Sequence, residues 1–279
     1  IKDKLDKQGK QTHYIDLEDL RLLEIFDEGP ERVIKYLQIN NILNKKKLFL
    51  FVDEIQYLKN PTNFLKLMYD NYCNKIKLIV SGSSSFEIKK KFKDSLVGRT
   101  IEFNIYPLSF DEFLNFKNVN INICEKITIK KTENELKDLY LEYILYGGYP
   151  KIVLETNKEN KEIYLQQIID TYIRKDIRDL ANIKDILKFN KLLEILASQS
   201  GNLLNVNELS NTSKLARQTI DEYLFIMENT YILKPVYPYS SNLRSELFKT
   251  PKIYFYDTGI ANLLWYKHLP EKENGNIFE

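Results

Sequence analysis

Two runs expected to form buried strands constrain the fold of this chain more than any other feature of its sequence. The first, residues 47–53, reads Lys-Leu-Phe-Leu-Phe-Val-Asp, and the second, Ile76–Val80, is followed by Ser81 and Gly82. Strands that do not alternate polar with apolar residues are typical of parallel sheets, because helices cover both of their faces. Apolar residues at helical spacing over Leu20–Leu43 and over residues 62–72 supply such helices. Residues 1–117 are therefore expected to form an α/β core.

Other segments extend this α/β interpretation. A β-type run at Thr12–Leu17 precedes the first helical segment, and a basic helix is expected over Phe86–Val97. Gly98 and Arg99 then lead into a further strand at Thr100–Ile105, which is followed by a helix that ends at Phe116. Strands and helices thus alternate along the chain, as they do in proteins built around a parallel sheet.

The second half of the sequence is dominated by helical periodicity. Helices are predicted over Glu133–Leu145, Lys158–Leu180 and Ile183–Gln199. Residues 205–229 resemble two short helices joined at residues 211–213, and the extended segments Ile232–Tyr239 and Lys252–Asp257 follow. Two helices and then a β-ribbon, in this order, favour a winged helix.

Charge and composition exclude several classes of protein. The 279 residues carry 41 basic and 39 acidic side chains, a net charge of +2, so no global field draws the chain to nucleic acid or to a membrane surface. No apolar run approaches the ~20 residues that span a bilayer. Neither the two cysteines nor the two histidines have metal-ligand spacing. We expect a cytoplasmic protein with no membrane partner, and Ile1 in first place suggests a fragment.

The pair Asp53-Glu54 is the sharpest chemical signal in the sequence. It places two carboxylates at the carboxyl end of a buried parallel strand, the edge where α/β sheets bind ligands. In an enzyme that acts on nucleoside triphosphates, the first acid can hold Mg²⁺ through water and the second can polarise the attacking water. The alternative is that the two acids only favour the start of a helix at Ile55, beside its N-terminal dipole.

The segment of residues 81–83 and the residue Arg99 each allow a functional and a purely structural interpretation. Ser81-Gly82-Ser83 ends the next strand, and would place a hydroxyl beside the acids if the two strands are neighbours in the sheet. The alternative is a turn that caps the following helix. Arg99 could project toward a triphosphate on a neighbouring subunit and stabilise negative charge there. A solvated arginine after a C-capping glycine is the alternative.

Several longer blocks together give the sequence a family resemblance. It resembles the prokaryotic AAA-type ATPases that carry a C-terminal domain of unknown function, and the resemblance covers nearly the whole chain. The blocks that carry it are residues 52–57 (Val-Asp-Glu-Ile-Gln-Tyr), 81–85 (Ser-Gly-Ser-Ser-Ser), 96–99 (Leu-Val-Gly-Arg), 106–113 (Tyr-Pro-Leu-Ser-Phe-Asp-Glu-Phe), 146–150 (Tyr-Gly-Gly-Tyr-Pro) and 252–259 (Lys-Ile-Tyr-Phe-Tyr-Asp-Thr-Gly).

The resemblance implies an AAA+ P-loop core over residues 1–117, a linker and helical lid over 118–184, a winged helix over 185–240 and the start of a nuclease-like region over 241–279. ATP and Mg²⁺ are the implied cofactors, and a homo-oligomer or another protein is the implied partner. The resemblance further implies that Asp53 is the Walker B magnesium acid and that Glu54 is the catalytic acid. It implies that Ser83 is the sensor-1 group and that Arg99 is the candidate arginine finger.

The sequence departs from the family pattern in one respect. The phosphate-binding loop G-x-x-x-x-G-K-[ST] is absent, because the Gly9-Lys10 pair is followed by Gln11 and precedes a strand. The family order places that loop before residue 1. We therefore expect these 279 residues alone to bind MgATP poorly, since the backbone donors and the lysine that hold the phosphates are missing.

The runner-up hypothesis is a DNA-binding or DNA-processing module with a degenerate ATPase-like scaffold, and a protein-interaction platform is a third. Lys214, Arg217 and Gln218 are the candidate DNA contacts at the start of the second short helix. Acids on the same helix oppose phosphate binding, namely Asp221, Glu222 and Glu228. A nuclease would need clustered acids and a lysine; its candidates are Lys252, Asp257 and Glu279.

Overall fold

The architecture is that of a computed structural model of the chain. It describes residues 1–82, 96, 98–119, 130–171, 183, 185–239 and 249–269. The chain divides into two compact units, residues 1–103 and residues 104–279. Each unit has its own core.

The first unit is built around a three-stranded parallel sheet in the order β1-β2-β3. The register places Asp16 of β1 opposite Asp53 of β2, and Val52 of β2 opposite Val80 of β3. Helices and one 3₁₀ turn connect the strands. The elements are α1 (Lys2–Lys7), β1 (Gln11–Asp16), α2 (Leu20–Asp27), α3 (Pro30–Ile39), β2 (Leu48–Asp53), the 3₁₀ turn Ile55–Tyr57, α4 (Pro61–Tyr72) and β3 (Ile76–Val80).

The core of this unit lies against one face of β2. Leu48, Leu50 and Val52 are fully buried there, whereas Phe49 and Phe51 on the other face are partly buried. The helices α2, α3 and α4 contribute side chains such as Phe26, Val33 and Met68 to the same cluster. The predicted α/β class with a parallel sheet is confirmed, and the strands β2 and β3 lie where their apolar runs placed them.

The helix predicted over Leu20–Leu43 is wrong, because the chain forms two helices there. Gly29 adopts a φ of 111°, and Pro30 begins α3 at its first position. Proline has no N–H to continue a preceding helix, and glycine tolerates a positive φ that a side chain would strain. The pair therefore ends one helix and starts the next.

The strand predicted at Thr100–Ile105 is also wrong. These residues have no regular structure, and Ile101, Phe103 and Ile105 are 80%, 82% and 92% exposed. A strand needs a neighbour to accept and donate its backbone hydrogen bonds, and no described strand pairs with this segment. The basic helix predicted over Phe86–Val97 lies outside the described residues except at Leu96, which is buried.

The second unit is mainly helical and contains a two-stranded antiparallel ribbon, β4-β5. Its largest buried cluster includes Phe189, Leu193, Ile220, Met227 and Leu263. The elements are α5 (Phe110–Phe116), α6 (Lys130–Tyr146), α7 (Pro150–Leu154), α8 (Lys158–Ile168), α9 (Ile186–Ser198), α10 (Val206–Ser213), α11 (Arg217–Asn229), β4 (Leu233–Val236), β5 (Lys252–Phe255) and α12 (Thr258–Tyr266).

The two short helices predicted within residues 205–229 are present, but their junction is not at residues 211–213. Helix α10 continues through Ser213, and Lys214 ends it in the left-handed conformation with a φ of 58°. Ala216 then precedes α11. Lys214 is therefore the C-cap of the first helix, and the expectation that it opens the second is wrong.

The order of α10, α11 and the ribbon β4-β5 matches the order on which the winged-helix interpretation depends, and that interpretation stays a prediction. Strand β5 pairs with β4, and α12 packs against α6 and α9. Residues 252–266 thus share one core with the helices before them. Helix α5, expected at the end of the α/β core, packs in the second unit, where Phe113 and Leu114 are buried with Val153.

Candidate functional site

The carboxyl edge of the parallel sheet brings three strand ends together. Asp16 and Asp53 are register partners at the ends of β1 and β2. Backbone hydrogen bonds continue the ladders beyond them, from the Leu17 N–H to the Asp53 carbonyl at 3.3 Å and from the Ser81 N–H to the Val52 carbonyl at 2.9 Å. The backbone that carries Asp53 is therefore fixed from both sides.

The Asp53 carboxylate lies at the centre of this edge and accepts hydrogen bonds from all three strands. The Ser81 hydroxyl donates to Oδ1 at 2.7 Å, and the Tyr14 hydroxyl donates to Oδ2 at 2.8 Å. The backbone N–H of Glu54 donates to Oδ1 at 3.0 Å. Asp53 itself is partly buried, so water reaches the same carboxylate.

These contacts set the protonation states in the cluster. Partial burial raises the pKa of Asp53, but the hydrogen bonds from Ser81, Tyr14 and the Glu54 N–H outweigh it and hold the pKa below its ordinary value. The hydrogen bond to Asp53 raises the pKa of the Tyr14 hydroxyl to about 12. At neutral pH, Asp53 is therefore charged and Tyr14 keeps the proton that it donates.

Glu54 has an unusual backbone conformation for a residue with a side chain. Its φ of 54° and ψ of 43° place it in the left-handed region, directly before the 3₁₀ turn. The Ile55 N–H donates to the Ser81 carbonyl at 3.1 Å, and the Gln56 amide donates to Glu54 Oε2. The backbone turn and this hydrogen bond together set the position of the Glu54 carboxylate.

The alternative in which Asp53 and Glu54 only favour a helix start is not supported. The segment after Glu54 is a single 3₁₀ turn, and the Glu54 side chain makes no capping hydrogen bond. The next α-helix, α4, begins at Pro61 with Asn60 as its N-cap. The two acids are thus separated from that helix by the turn and a short loop.

The predicted hydroxyl beside the acids is present, since β2 and β3 are neighbours in the sheet. Ser81 supplies it, whereas Ser83 lies outside the described residues and stays a prediction. Tyr14 was not predicted as a site residue. It precedes the strand-end residue Asp16 by two positions and so shares its face of β1. The two-residue period of side chains along a strand was the only signal in the sequence that could have placed Tyr14 on the same face as Asp16.

Arg99 lies away from this carboxyl edge. Its Nε donates to Asp70 Oδ1 at 2.8 Å, and that hydrogen bond raises the pKa of the guanidinium. Asp70 lies near the C-terminal end of α4, which runs from the carboxyl end of β2 to the amino end of β3. The structure therefore does not bring Arg99 and Asp53 together within one chain.

The three candidate DNA contacts are exposed but share their surface with acids. Lys214, Arg217 and Gln218 are all exposed, and the Gln218 amide donates to Glu222 at 3.5 Å. Asp221 and Glu222 are exposed on the same helix. The start of α11 is thus a surface of mixed charge.

Asp53 fits a magnesium ion held through water. In the described residues, no group of three or more His, Cys, Asp and Glu side chains could hold a metal ion directly. A carboxylate has about four acceptor sites, and three are occupied at Asp53 by the described donors. The remaining site, on Oδ2, suits one metal-bound water, and the other ligands would come from phosphate oxygens and solvent.

A second aspartate, Asp257, joins two segments of the second unit that are distant in sequence. Its carboxylate is buried and accepts from the Gly148 N–H at 2.8 Å and the Ile260 N–H at 3.0 Å. Burial raises its pKa to about 6, although the N–H donors of Gly148, Ile260 and Gly259 oppose that shift. Asp257 is the N-cap of α12, so it is not available as a nuclease acid.

Glycines allow the backbone to approach Asp257 this closely. A Cβ on Gly147, whose φ is 77°, would lie 2.2 Å from Asp257 Oδ1, and a Cβ on Gly259 would lie 2.2 Å from the Tyr146 carbonyl oxygen. A Cβ on Gly148 would lie 2.3 Å from the Leu108 carbonyl oxygen. The blocks at residues 106–113, 146–150 and 252–259 therefore converge on one buried junction.

Comparison with known proteins assigns the two parts of the chain to different families. Residues 1–114 match a family described as an AAA domain, and residues 137–271 match one described as Domain of unknown function (DUF8612). The first match supports an AAA+ P-loop ATPase-like fold for the α/β part of the chain.

Particular relatives extend over most of the chain. The uncharacterized protein MJ1544 of Methanocaldococcus jannaschii is 30% identical over 273 residues, which are 95% of this chain and 58% of that protein. An uncharacterized protein of Haemophilus influenzae is 29% identical over 223 residues, 78% of this chain and 52% of that protein. The chain thus spans little more than half the length of these relatives.

Two solved structures are also similar. One is the Aeropyrum pernix ORC1 protein in complex with DNA, which is 13% identical and has a TM-score of 0.34 over 94% of this chain and 80% of that one. The other is a single-substitution variant of Thermotoga maritima RuvB, which is 16% identical and has a TM-score of 0.25 over 83% of this chain and 85% of that one. Such TM-scores do not establish a shared fold. The support for an AAA+ P-loop ATPase-like fold is the family match of residues 1–114.

None of the helices in the described part of the chain is both long enough and apolar enough to cross a membrane.

Proposed function

We propose that this chain is the core of an AAA-type ATPase, which couples the binding or hydrolysis of MgATP to a change in its helical and winged-helix region. One observation carries the proposal. The ionised Asp53 is held at the carboxyl end of the middle strand of the described sheet by hydroxyls from both neighbouring strands, with Glu54 directly after it. This edge is where open α/β sheets bind their ligands.

Each acid has a distinct task in this proposal. Asp53 would accept, at the remaining site on Oδ2, a hydrogen bond from a water bound to Mg²⁺. Glu54, fixed by its left-handed backbone and by Gln56, polarises the water that attacks the γ-phosphate. A Mg²⁺ ion bound there would supply positive charge for the phosphate oxygens.

The phosphates themselves need donors, and the phosphate-binding motif G-x-x-x-x-G-K-[ST] does not occur in these 279 residues. We propose that the intact protein supplies this loop, and that the 279 residues alone bind MgATP weakly. Isothermal titration tests this: a micromolar complex with the 279-residue polypeptide would show that the phosphates are held by another part of the chain.

Substitution of Glu54 tests the proposed hydrolysis. In the intact protein, Glu54→Gln should abolish turnover and leave MgATP binding in place, because the amide cannot polarise water as a carboxylate does. Glu24→Gln, an exposed change on α2, is the matched control and should leave turnover unchanged. Normal hydrolysis by Glu54→Gln would contradict the proposed role of Glu54.

Arg99 is proposed to act on the nucleotide of a neighbouring copy. Its pairing with Asp70, near the end of α4 opposite Asp53, supports action between subunits and not within one. Mixing Arg99→Ala with Glu54→Gln subunits tests this, since each copy would supply what the other lacks. Recovery of turnover in the mixture supports a shared site in a homo-oligomer, and no recovery contradicts it.

The alternative is a DNA-binding module. The exposed Arg217 at the start of α11 and the exposed Lys214, the C-cap of α10, favour it. Salt-dependent binding of duplex DNA that Arg217→Ala weakens, and that the control Arg32→Ala does not, would support this alternative. DNA binding unaffected by Arg217→Ala would rule out this surface.

A further inference from the structure

We propose that Tyr14 is a positioning residue for Asp53: its hydroxyl orients the carboxylate and leaves a single acceptor site, on Oδ2, for a water bound to the nucleotide's magnesium ion. This inference rests on the proposed function and deepens it. No block that carries the family resemblance contains Tyr14.

The sheet geometry brings Tyr14 to Asp53. In the register, Tyr14 lies opposite Phe51, and Asp16 lies opposite Asp53. Tyr14 therefore begins two residues short of Asp53 on the neighbouring strand and on the same face of the sheet. The length of its aromatic side chain spans this offset and places the hydroxyl 2.8 Å from Oδ2. A serine or threonine at the same position would be too short to do so.

The hydrogen bonds divide the carboxylate into two different oxygens. Oδ1 accepts from the Ser81 hydroxyl and from the Glu54 N–H, which together use its two lone pairs. Oδ2 accepts from Tyr14 alone among the described donors, so one lone pair remains on it. Direct bidentate binding of a metal is thereby disfavoured, and one bridging water is favoured.

The exposure of Tyr14 argues against a purely structural role. Its side chain is 48% exposed, and the residue is absent from the buried cluster of the first unit. Removing the hydroxyl alone, as in Tyr14→Phe, keeps the ring and its contacts. The change then isolates the hydrogen bond to Asp53.

The hydrogen bond also stabilises the charge on Asp53. It is one of the contacts that lower the pKa of this carboxyl, and it raises the pKa of Tyr14 to about 12. Among the residues that the structure describes, the charged groups that act on Tyr14 besides Asp53 are Asp16 and Glu54, both acids. Loss of the Tyr14 donor should therefore raise the pKa of Asp53.

The test compares Tyr14→Phe with Tyr69→Phe in the intact protein, since Tyr69 is a tyrosine of similar exposure at 45%, on α4. The first readout is the titration of the Asp53 carboxyl carbon by NMR in ¹³C-aspartate-labelled protein, assigned by its loss in Asp53→Asn. The midpoint should rise in Tyr14→Phe and stay in place in Tyr69→Phe. The second readout is the Mg²⁺ concentration that gives half-maximal ATP turnover, which should rise roughly tenfold in Tyr14→Phe only.

The outcomes separate this inference from the function on which it rests. An unchanged Asp53 titration in Tyr14→Phe overturns the role of Tyr14, whatever the protein does with ATP. An altered titration with an unchanged Mg²⁺ requirement also overturns it, because the carboxylate would then not act through the metal. If Asp53→Asn itself leaves Mg²⁺-dependent turnover intact, the proposed function fails, and the proposal for Tyr14 fails with it.

Discussion

Two aspartates of this protein lie at or near the end of a strand and have opposite surroundings. Asp53 ends the strand Leu-Phe-Leu-Phe-Val-Asp, and Asp257 follows the strand Lys-Ile-Tyr-Phe two residues later. The first accepts from the side-chain hydroxyls of Tyr14 and Ser81 and is partly buried. The second is 5% exposed, and its donors among the described residues are backbone N–H groups.

The difference shows that the role of an acid at a strand end is determined by the hydrogen-bond donors around its carboxylate, and not by the residue pattern of the strand. Hydroxyl donors leave Asp53 charged and open to water, with an acceptor site for a ligand. At Asp257, backbone donors and three glycines exclude any ligand, so the carboxylate joins segments distant in sequence. We expect changes at Asp257 to affect stability, and changes at Asp53 to affect the reaction.

The largest expected effect on stability is that of Asp257→Ala. It would leave the buried N–H groups of Gly148, Gly259 and Ile260 without their acceptor, and each such loss costs about 1–3 kcal/mol. The free energy of unfolding should fall by about 4 kcal/mol, as measured by urea denaturation. In the matched variant Asp53→Ala, water can replace the lost acceptor, so a fall of similar size there would remove the contrast between the two aspartates.

The pH dependence of stability provides the next contrast. The pKa of Asp257 is raised from 3.8 to about 6 in the folded protein, so folding disfavours its charged form. Its contribution to stability is complete below pH 3.8, declines as the pH rises to about 6 and is constant above that. The decline is on the order of 3 kcal/mol.

Denaturation of the wild type and of Asp257→Asn at several pH values between about 4 and 7 measures this contribution. The difference in unfolding free energy between the two proteins should change across that range, because asparagine does not titrate. A difference that is independent of pH would show that burial does not disfavour the Asp257 charge.

The variant Asp53→Asn should affect the reaction and not the fold. Loss of the charge near the magnesium ion should lower the turnover of the intact protein roughly 100-fold, which is about 2.7 kcal/mol in activation free energy. Its unfolding free energy should stay within about 1 kcal/mol of the wild type. Steady-state hydrolysis and urea denaturation of the same preparation measure both, and a stability loss equal to that of Asp257→Ala would contradict the assignment.

Substitution of a third aspartate, Asp70, is expected to have the smallest effect on the free energy of unfolding. Its partner is a charged side chain, Arg99, and both are about one-third exposed. Exposed ion pairs contribute about 0–1 kcal/mol. Asp70→Ala should therefore change the free energy of unfolding by less than about 1 kcal/mol, and a larger loss in thermal or urea denaturation would show that the pair supports the fold.

The sequence predicted the parts of the fold that depend on local pattern. The strands β2 and β3 and the helix α4 lie within about one residue of their expected bounds, because an apolar run and its flanking turn residues determine such elements. Asp53 was found for the same reason, since it directly follows such a run.

Predictions from the sequence were wrong or missing where the structure depends on contacts between residues distant in sequence, or on the close approach of backbone segments. The segment Thr100–Ile105 has strand-like residues, but whether a strand forms depends on a partner elsewhere in the chain. Tyr14 was missed because its contact with Asp53 requires the register of β1 against β2. Asp257 was considered as a nuclease acid, because no pattern revealed that glycines 147, 148 and 259 would enclose it.

Whether a nucleotide-bound metal lies beside Asp53 can be measured directly by NMR. Mn²⁺ and ATP are added to the intact protein labelled with ¹³C-aspartate, because the paramagnetic Mn²⁺ broadens the signals of nearby carbons. We expect the Asp53 carboxyl signal to disappear on addition of Mn²⁺ and ATP and to return with excess Mg²⁺, while the signal of Asp257 persists. A sharp Asp53 signal at concentrations that saturate nucleotide binding would contradict this expectation.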